Sequence, residues 1–377
     1  MKIAAAKETK KGESRAALTP DAVKKYLAAG ASVCVETGLG DASGIADSAY
    51  EAAGATIGAS LAEAYAGADI VLTVNPLDDD ALAHVPEGAH LVGMLEPFTS
   101  DIAALNARKL HAYAMELLPR ISRAQAMDVL SSQSNLAGYR AVIEAGAHTN
   151  KLFPMLMTAA GTIPPAKALV LGAGVAGLQA IATAKRMGCV VSAFDVRPAV
   201  KEQVQSLGAK FVEVPAAENA ETSGGYAKEM DEDYKKRQAQ AIHDVIVTQD
   251  IVISTALIPG KPAPELITDS MLAGMKKGSV IVDLAASAGG NCKATKLDKV
   301  STVKGVTLIG YSNLPSRAAA DATPLYARNL VNFVTTLLLN TKEKTVSVQW
   351  EDELVQGTLL TRGGAVVHPA LLAAKVA

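Results

Sequence analysis

The chain has 377 residues, of which 49% are hydrophobic and 20% charged, and its formal net charge is −2. This length predicts two domains, and the near-neutral mixture of acids and bases argues against nucleic acid or a membrane surface as a partner. No apolar run near the start is typical of a signal peptide and none reaches the roughly 18–20 residues that span a bilayer, so we expect a cytoplasmic α/β protein.

Cysteines and histidines show no spacing typical of a disulfide framework or a metal site. Cys34, Cys189 and Cys292 are far apart and are interpreted as core residues in a reducing compartment. The six histidines include no H-x-x-x-H pair. We therefore predict no metal site.

In chain order, short apolar runs alternate with amphipathic segments, which is typical of parallel sheets with crossover helices. The first strands are predicted at KIAAA, SVCVETG, DIVLTV, HLVGML and HAYAMEL. A helix between the first two has Thr19 as its predicted N-cap, Pro20 at its first position and Gly30 at its end.

The next segment, ELLPRISRAQAMDVLSSQSNLAGYR, is richer in hydrogen-bonding groups than a short connection requires. Its polar side chains are Arg120, Arg123, Gln125, Asp128, Ser131, Ser132, Gln133, Ser134 and Asn135. A helix beginning near residue 134, with Ser131 or Ser134 as N-cap, would account for one or two of them. We expect the others to bind a ligand.

A second series of six strands follows, at ALVLGAG, CVVSAFD, KFVEV, DIVISTA, SVIVDLA and TLIGYSN. This count matches a complete doubly wound dinucleotide fold. The tail offers a helix and two short strands, too little for a separate domain. We predict two Rossmann-like doubly wound domains joined by two long helices with a cleft between them. Residues 1–132 and 317–377 would form one domain, and residues 133–316 the NAD-binding domain.

A glycine motif opens the second series. Gly172, Gly174 and Gly177 form G-x-G-x-x-G between a strand and a helix that includes Val175 and Ala176. The first glycine allows a tight turn, the second admits a pyrophosphate, and the third permits close packing of helix and strand. We therefore predict a dinucleotide site at this turn.

Two residues at the end of the next strand bear on the choice of cofactor. Asp195 closes that strand, where a carboxylate hydrogen-bonds the adenosine ribose hydroxyls. Its position favours NAD, although Arg197 could accept the 2′-phosphate of NADP.

Two further loops are candidates for contact with the nucleotide. After KFVEV a long segment lacks apolar periodicity and contains Gly224, Gly225 and Tyr226. It is either a lid that closes over the nucleotide or a solvated insertion. Leu257 lies in the loop after the fourth strand of the second series, where the nicotinamide is expected.

Several of these segments together resemble one family. They are RISRAQAMDVLSSQSNLAGYRAVIEAG, MTAAGTIPPAKALVLGAGVAGLQAIATAKRMG, ETSGGYAKEM, TALIPGKPAP and PSRAAADATPLYARNLVNF. The family is the NAD(H)-binding component, domain I, of proton-translocating NAD(P) transhydrogenase, in the form of a separate alpha-1 subunit. The chain is more distantly similar to alanine dehydrogenase. That enzyme has a lysine where this chain has Asn75 and then a histidine, which this chain lacks through Ser100, so we expect no reduction of a 2-oxo acid.

The resemblance implies a Re/Si-specific transhydrogenase in which NADH bound here passes hydride directly to NADP+ on a partner subunit. A membrane-spanning proton-channel subunit couples the transfer to proton translocation. A homodimer, attached peripherally to the inner membrane through its partners, is implied as well. Arg120, Gln125, Asp128 and Ser131 correspond to residues that hold the nicotinamide. The resemblance also assigns nucleotide contacts to Asp195, Val196, Arg197, Gly225, Tyr226, Gln238 and Leu257.

Two other functions stay open from the sequence. One is an amino-acid dehydrogenase of the alanine type, which Asn75 disfavours. The other is a non-catalytic NAD-sensing module whose lid reports occupancy to a partner. Hydride exchange with an NADP-loaded partner would distinguish an enzyme from a sensor.

Overall fold

Two parallel sheets, each built from the apolar runs that alternate with helices, organise the chain. The computed structural model describes residues 1–214, 232–258 and 260–374. The first compact unit comprises Met1–Gln133 and Ser316–Ala377, and the second comprises Ser134–Pro315. The chain passes from the first unit to the second within one helix and returns at the 3-10 turn Pro315–Ala318.

The first part of the first unit contains six strands and five helices. They are β1 Lys2–Ala5, α1 Pro20–Ala28, β2 Ser32–Glu36, α2 Asp47–Ala52, β3 Thr56–Gly58, α3 Leu61–Tyr65, β4 Ile70–Leu72, α4 Asp79–His84, β5 His90–Gly93, α5 Ile102–Ala107 and β6 His111–Ala114. The predicted cap of α1 is confirmed, since Thr19 Oγ1 accepts the Ala22 N–H at 3.2 Å. Strand β3 was not predicted, because its three residues are too few to show a period.

Helix α6, Val129–His148, leads into the second unit. The elements that follow are β7 Leu156–Thr158, β8 Gly161–Ile163, β9 Lys167–Leu171, α7 Val175–Arg186, β10 Val190–Phe194, α8 Lys201–Ser206, β11 Lys210–Phe211, α9 Glu232–Ile246, β12 Ile251–Ser254, α10 Asp269–Gly274, β13 Val280–Asp283, β14 Val300–Val303 and β15 Val306–Ile309. The large sheet has the order β11-β10-β9-β12-β13-β15-β14.

Six strands of this sheet are parallel and lie in the order of a doubly wound dinucleotide fold. The predicted fold class is therefore confirmed. Strand β14 was missed, and it pairs antiparallel with β15 at the edge. β7 and β8 form a separate two-stranded hairpin.

The tail returns to the first unit. It contains α11 Ala319–Leu337, β16 Leu339–Asn340, β17 Thr345–Val346, α12 Glu353–Thr358, β18 Leu359–Arg362, β19 Ala365–Val366 and α13 Pro369–Ala374. β18 pairs antiparallel with β6, and β19 pairs with β18. The first sheet therefore has the order β19-β18-β6-β5-β4-β1-β2-β3.

Both sheets bury both faces, which explains why their strands read as continuous apolar runs. In β1, Ile3 and Ala5 belong to one apolar cluster and Ala4 to another. In β9, Val170 packs into one cluster of the second unit and Leu169 into the other. Each sheet is thus rigid at its carboxyl edge, where the predicted nucleotide-binding loops begin.

Candidate functional site

The glycine-rich turn joins β9 to α7 in the second unit. Gly172 has φ +93°, a left-handed conformation that favours glycine. A Cβ at this position would lie 2.6 Å from Thr255 Oγ1. That hydroxyl donates to the Gly172 carbonyl at 3.0 Å, so the loop after β12 fixes the turn from outside.

The other two glycines serve different purposes. A Cβ added to Gly177 would lie 1.8 Å from the Gly172 carbonyl oxygen, so only glycine permits this close approach of helix and turn. A Cβ added to Gly174 would meet nothing nearer than Arg197 Nη2 at 3.9 Å. The backbone at Gly174 is therefore open, as approach of a pyrophosphate requires.

The first turn of α7 has the free amide groups that suit an anion. No side chain caps this helix at Gly174. Val175 is 36% exposed and Ala176 is half-buried. A Cβ on Gly138 of α6 would lie 2.1 Å from the Ala176 carbonyl oxygen, so that glycine brings α6 against α7. Gly138 was missed, because a single helical glycine has no local signal.

Asp195 directly follows β10, as predicted, and is only 8% exposed. Its Oδ2 accepts the N–H of Ala173, inside the glycine turn, at 2.7 Å. Its Oδ1 accepts the backbone N–H of Arg197 at 2.9 Å. The Arg197 side chain binds both oxygens, from Nε to Oδ1 at 2.9 Å and from Nη2 to Oδ2 at 2.8 Å.

The remaining nucleotide-binding candidates have less defined surroundings. Val196 is half-buried against apolar side chains, and Gln238 is half-buried on α9. Leu257 is 45% exposed in the loop after β12. Gly225 and Tyr226, with the predicted lid, lie outside the described residues.

A buried polar framework supports the loops that follow β12 and β13, and the sequence did not reveal it. Asn291 is fully buried; its Oδ1 accepts from Ser254 Oγ at 2.6 Å, and its Nδ2 donates to the Ala256 carbonyl at 2.9 Å. Asp283, also fully buried, accepts the Asn291 N–H at 3.2 Å and the Cys292 N–H at 3.1 Å. These contacts fix the loops at the carboxyl edge of the sheet.

In the first unit, some residues of the polar stretch 120–135 have structural partners. Arg123 forms a two-pronged ion pair with Asp352, at 2.9 and 2.7 Å. Ser132 Oγ donates to Asn329 Oδ1 at 2.7 Å. Gln133 is 5% exposed and accepts from Arg15 Nη1 at 2.9 Å. The expectation that helix capping explains only one or two of the polar residues thus underestimated their structural use.

The start of α6 also differs from the prediction. The helix begins at Val129 and not near residue 134. Asp128 is its capping residue, because Asp128 Oδ1 accepts the Ser131 N–H at 2.9 Å and Oδ2 accepts the Ser131 hydroxyl. Arg120 and Gln125 are exposed, whereas Asp128 and Ser131 are half-buried.

A buried cluster of charged and amide groups surrounds Asn75, which is 5% exposed. Asn75 Nδ2 donates to Glu8 Oε2 at 2.9 Å and to Glu13 Oε2 at 3.0 Å. Arg15, also 5% exposed, forms an ion pair with Glu13 at 2.6 Å. Burial by itself would raise the pKa of Glu13, but hydrogen bonds and charge attraction from Arg15 outweigh it and hold that pKa at about 2. Burial raises the pKa of Glu8.

Metal-binding clusters and membrane-spanning helices are both absent from the described residues. Residues 1–214, 232–258 and 260–374 contain no cluster of three or more histidine, cysteine or acidic side chains that could hold a metal. Over the same ranges, no helix is long and apolar enough to cross a membrane.

Comparison with known proteins covers nearly the whole chain. Residues 4–137 match the alanine dehydrogenase/PNT N-terminal domain model, and residues 141–369 match the C-terminal domain model. The chain is 55% identical to the first of the separately made portions of NAD(P) transhydrogenase subunit alpha from Rhodospirillum rubrum, over 98% of this chain and 99% of the relative. It is 48% identical to the protein of the same name from Rickettsia prowazekii, over 98% and 96%.

Two solved structures are similar over almost their full lengths. A transhydrogenase from Sinorhizobium meliloti has a TM-score of 0.85 at 47% identity, covering 98% of this chain and 99% of that one. An L-alanine dehydrogenase has a TM-score of 0.83 at 23% identity, covering 100% and 99%, and this likeness shows the fold alone.

The fold and the glycine turn define a dinucleotide-binding protein of the dehydrogenase class, and the chain belongs to the alanine dehydrogenase/PNT family. Within that family it is a homologue of NAD(P) transhydrogenase alpha subunits, which are oxidoreductase components. The resemblance inferred from the sequence motifs is therefore confirmed, and so is the more distant similarity to alanine dehydrogenase.

Proposed function

We propose that this chain is the NAD(H)-binding subunit of a proton-translocating, Re/Si-specific transhydrogenase. When bound, NADH supplies a hydride that passes directly to NADP+ on a partner subunit, giving NAD+ and NADPH. A membrane-spanning proton-channel subunit of the same complex would couple this exchange to proton movement. The chain would therefore be active only with its partners, at the cytoplasmic side of the inner membrane.

The second unit has the features that a dinucleotide requires. Gly174 leaves the turn open, and the uncapped first turn of α7 offers amide donors for the pyrophosphate. Asp195 supplies a carboxylate at the strand end where the adenosine ribose is expected. These groups support NAD(H) as the bound cofactor.

The observation that carries the proposal is the contact set of Asn75. In an alanine-type enzyme this position has the lysine that binds the oxo acid. Here the Asn75 amide donates to Glu8 and Glu13, and Glu13 also neutralises Arg15. Cationic groups that could attract a carboxylate substrate are thus absent at Asn75 and compensated at Arg15. A chain that binds NADH without an oxo-acid site needs an acceptor on another protein.

The polar stretch would then position the nicotinamide. We propose that Arg120, Gln125, Asp128 and Ser131 hold the ring and its carboxamide, which needs one acceptor and one donor. Asp128 can accept, and the Ser131 hydroxyl can donate or accept. Direct transfer requires the two rings at about 3–3.5 Å, so positioning and not acid–base catalysis is the protein's task.

We also propose a homodimer, with the β7–β8 hairpin as its contact. Met155, Leu156 and Met157 are 58%, 43% and 80% exposed. Such adjacent exposed apolar side chains mark interaction sites, and an isolated two-stranded hairpin is only marginally stable in water.

Reconstitution tests the proposed reaction. The purified chain is mixed with an NADP+-loaded partner subunit, and NADPH formation from 4-deuterated NADH is followed by mass spectrometry. Transfer of the label to NADPH is expected, whereas binding of NADH without label transfer would indicate a sensor. Separately, NADH fluorescence is followed with pyruvate and ammonium present. A steady loss of NADH without any partner would mean an alanine-type dehydrogenase.

A further inference from the structure

The Asp195 carboxylate is saturated with hydrogen bonds in the described residues of the chain. Two come from backbone N–H groups, those of Ala173 and Arg197. The other two come from the Arg197 guanidinium, one to each carboxylate oxygen. The ion pair is well shielded, since the Arg197 and Asp195 side chains are 15% and 5% exposed.

A carboxylate offers about four acceptor positions, and a ribose diol needs two of them. The two hydroxyls therefore cannot bind Asp195 while the Arg197 side chain remains in place. Departure of the guanidinium frees one position on each oxygen, Oδ1 and Oδ2. A vicinal diol donates to a carboxylate in this same two-pronged manner. The two backbone bonds would stay and keep the carboxylate oriented.

We propose that Arg197 is a specificity-determining residue that occupies the ribose position of Asp195 until a vicinal diol displaces it. The guanidinium keeps the buried carboxylate paired in the empty site. Its Nη2 atom lies beside Gly174, 3.9 Å from the position of an added Cβ, so the displaced group stays near the pyrophosphate position. A ligand without both hydroxyls cannot complete the exchange. This inference rests on the proposed NAD(H) site.

The test compares adenosine with 2′-deoxyadenosine, which lacks one hydroxyl and has no phosphate that Arg197 could bind. Each ligand displaces NADH from the full chain, and its dissociation constant is corrected for the NADH affinity of each variant. In Arg197→Met the carboxylate needs no exchange, so adenosine is expected to bind about tenfold more tightly than to the wild type. The gain for 2′-deoxyadenosine is expected to be clearly smaller.

Two further variants make the result specific. Lys201→Met removes the same charge from an exposed pair with Glu213 and should leave both affinities unchanged. Arg197→Lys lacks the fork that reaches both oxygens, so it should show an intermediate gain and serves if Arg197→Met fails to fold.

An unchanged or weaker adenosine affinity in a variant that melts cooperatively would overturn the exchange. An equal gain for 2′-deoxyadenosine would do the same, because the diol would then have no part in it. If label transfer to NADPH is nevertheless intact, the proposed function stands without the exchange. If neither the wild type nor the variant binds NADH, both proposals fail.

Discussion

At the scale of single residues, the glycine motif separates packing from ligand access. Gly177 is needed for helix–turn contact, whereas Gly174 faces open space. These roles follow from the distances to an added Cβ and could not be distinguished by the motif alone.

We expect Gly177→Ala to destabilise the chain by about 2–4 kcal/mol, because its methyl group would overlap the Gly172 carbonyl. Gly174→Ala should leave the stability unchanged and weaken NADH binding. Urea unfolding and NADH fluorescence titration measure the two effects. Equal stability of Gly177→Ala and the wild type would show that the turn can relax.

Glu116 is a second residue whose environment has a measurable consequence. Its Oε1 accepts the Glu96 N–H at 2.6 Å, and its Oε2 is buried with no partner among the described residues. Burial raises the pKa of Glu116 from its ordinary 4.5 to about 7, and the neighbouring charge of Glu96 adds to this. Lys10 is paired with Glu96 at 2.6 Å, and Tyr326 packs within the same unit.

The raised pKa means that the folded chain binds this proton more tightly than the unfolded chain. Its contribution to stability is complete below pH 4.5 and is lost as the pH rises through about 7. Glu116→Gln should therefore be more stable than the wild type at pH 8, with the difference shrinking towards pH 5. Urea midpoints across this range test it, and the exposed Glu343→Gln serves as control. A difference that does not vary with pH would contradict the assignment.

At the scale of elements, the start of α6 shows how a cap was misread. Ser131 and Ser134 both suit an N-cap, and the serine-rich sequence predicted a later start. In the structure the carboxylate of Asp128 takes the capping bond, and Ser131 becomes its donor. Several adjacent residues of the right type compete for a cap, and only the path of the preceding chain decides among them.

Asp128 therefore has a structural role as well as the proposed nicotinamide role, and two substitutions separate them. Asp128→Ala should cost about 1 kcal/mol of stability, because the Ser131 N–H loses its acceptor. Asp128→Asn should retain stability, since asparagine is an equally good cap. If Asp128 also binds the nicotinamide, Asp128→Asn should still reduce label transfer to NADPH. Full transfer by a stable Asp128→Asn chain would limit the residue to capping.

At the scale of the whole molecule, the exposed hairpin makes the proposed dimer testable. Met157→Glu places a charge where 80% of the side chain is now exposed, so it should convert a dimer to a monomer without loss of stability. Leu297→Glu, at another exposed apolar position, is the matched control. Sedimentation velocity measures both. A dimeric Met157→Glu chain would exclude the hairpin as the main contact.

The sequence by itself determined the alternation of strands and helices, the doubly wound second sheet and the glycine turn. These features depend on local periodicity and on the left-handed backbone that only glycine adopts easily, as at Gly172. Short edge strands escaped it, because β3 and β14 gain their order from a neighbouring strand.

Only the tertiary structure decided which partners the polar groups take. Asn75 meets Glu8 across 67 positions, Gln133 meets Arg15 across 118, and Thr361 of the returning tail meets Leu110 across 251. Even Asp195, correctly placed at its strand end, proved to be saturated by Arg197 and by an amide of the glycine turn. Donors and acceptors must be satisfied once buried, but the choice among distant partners depends on how the folded chain brings them together.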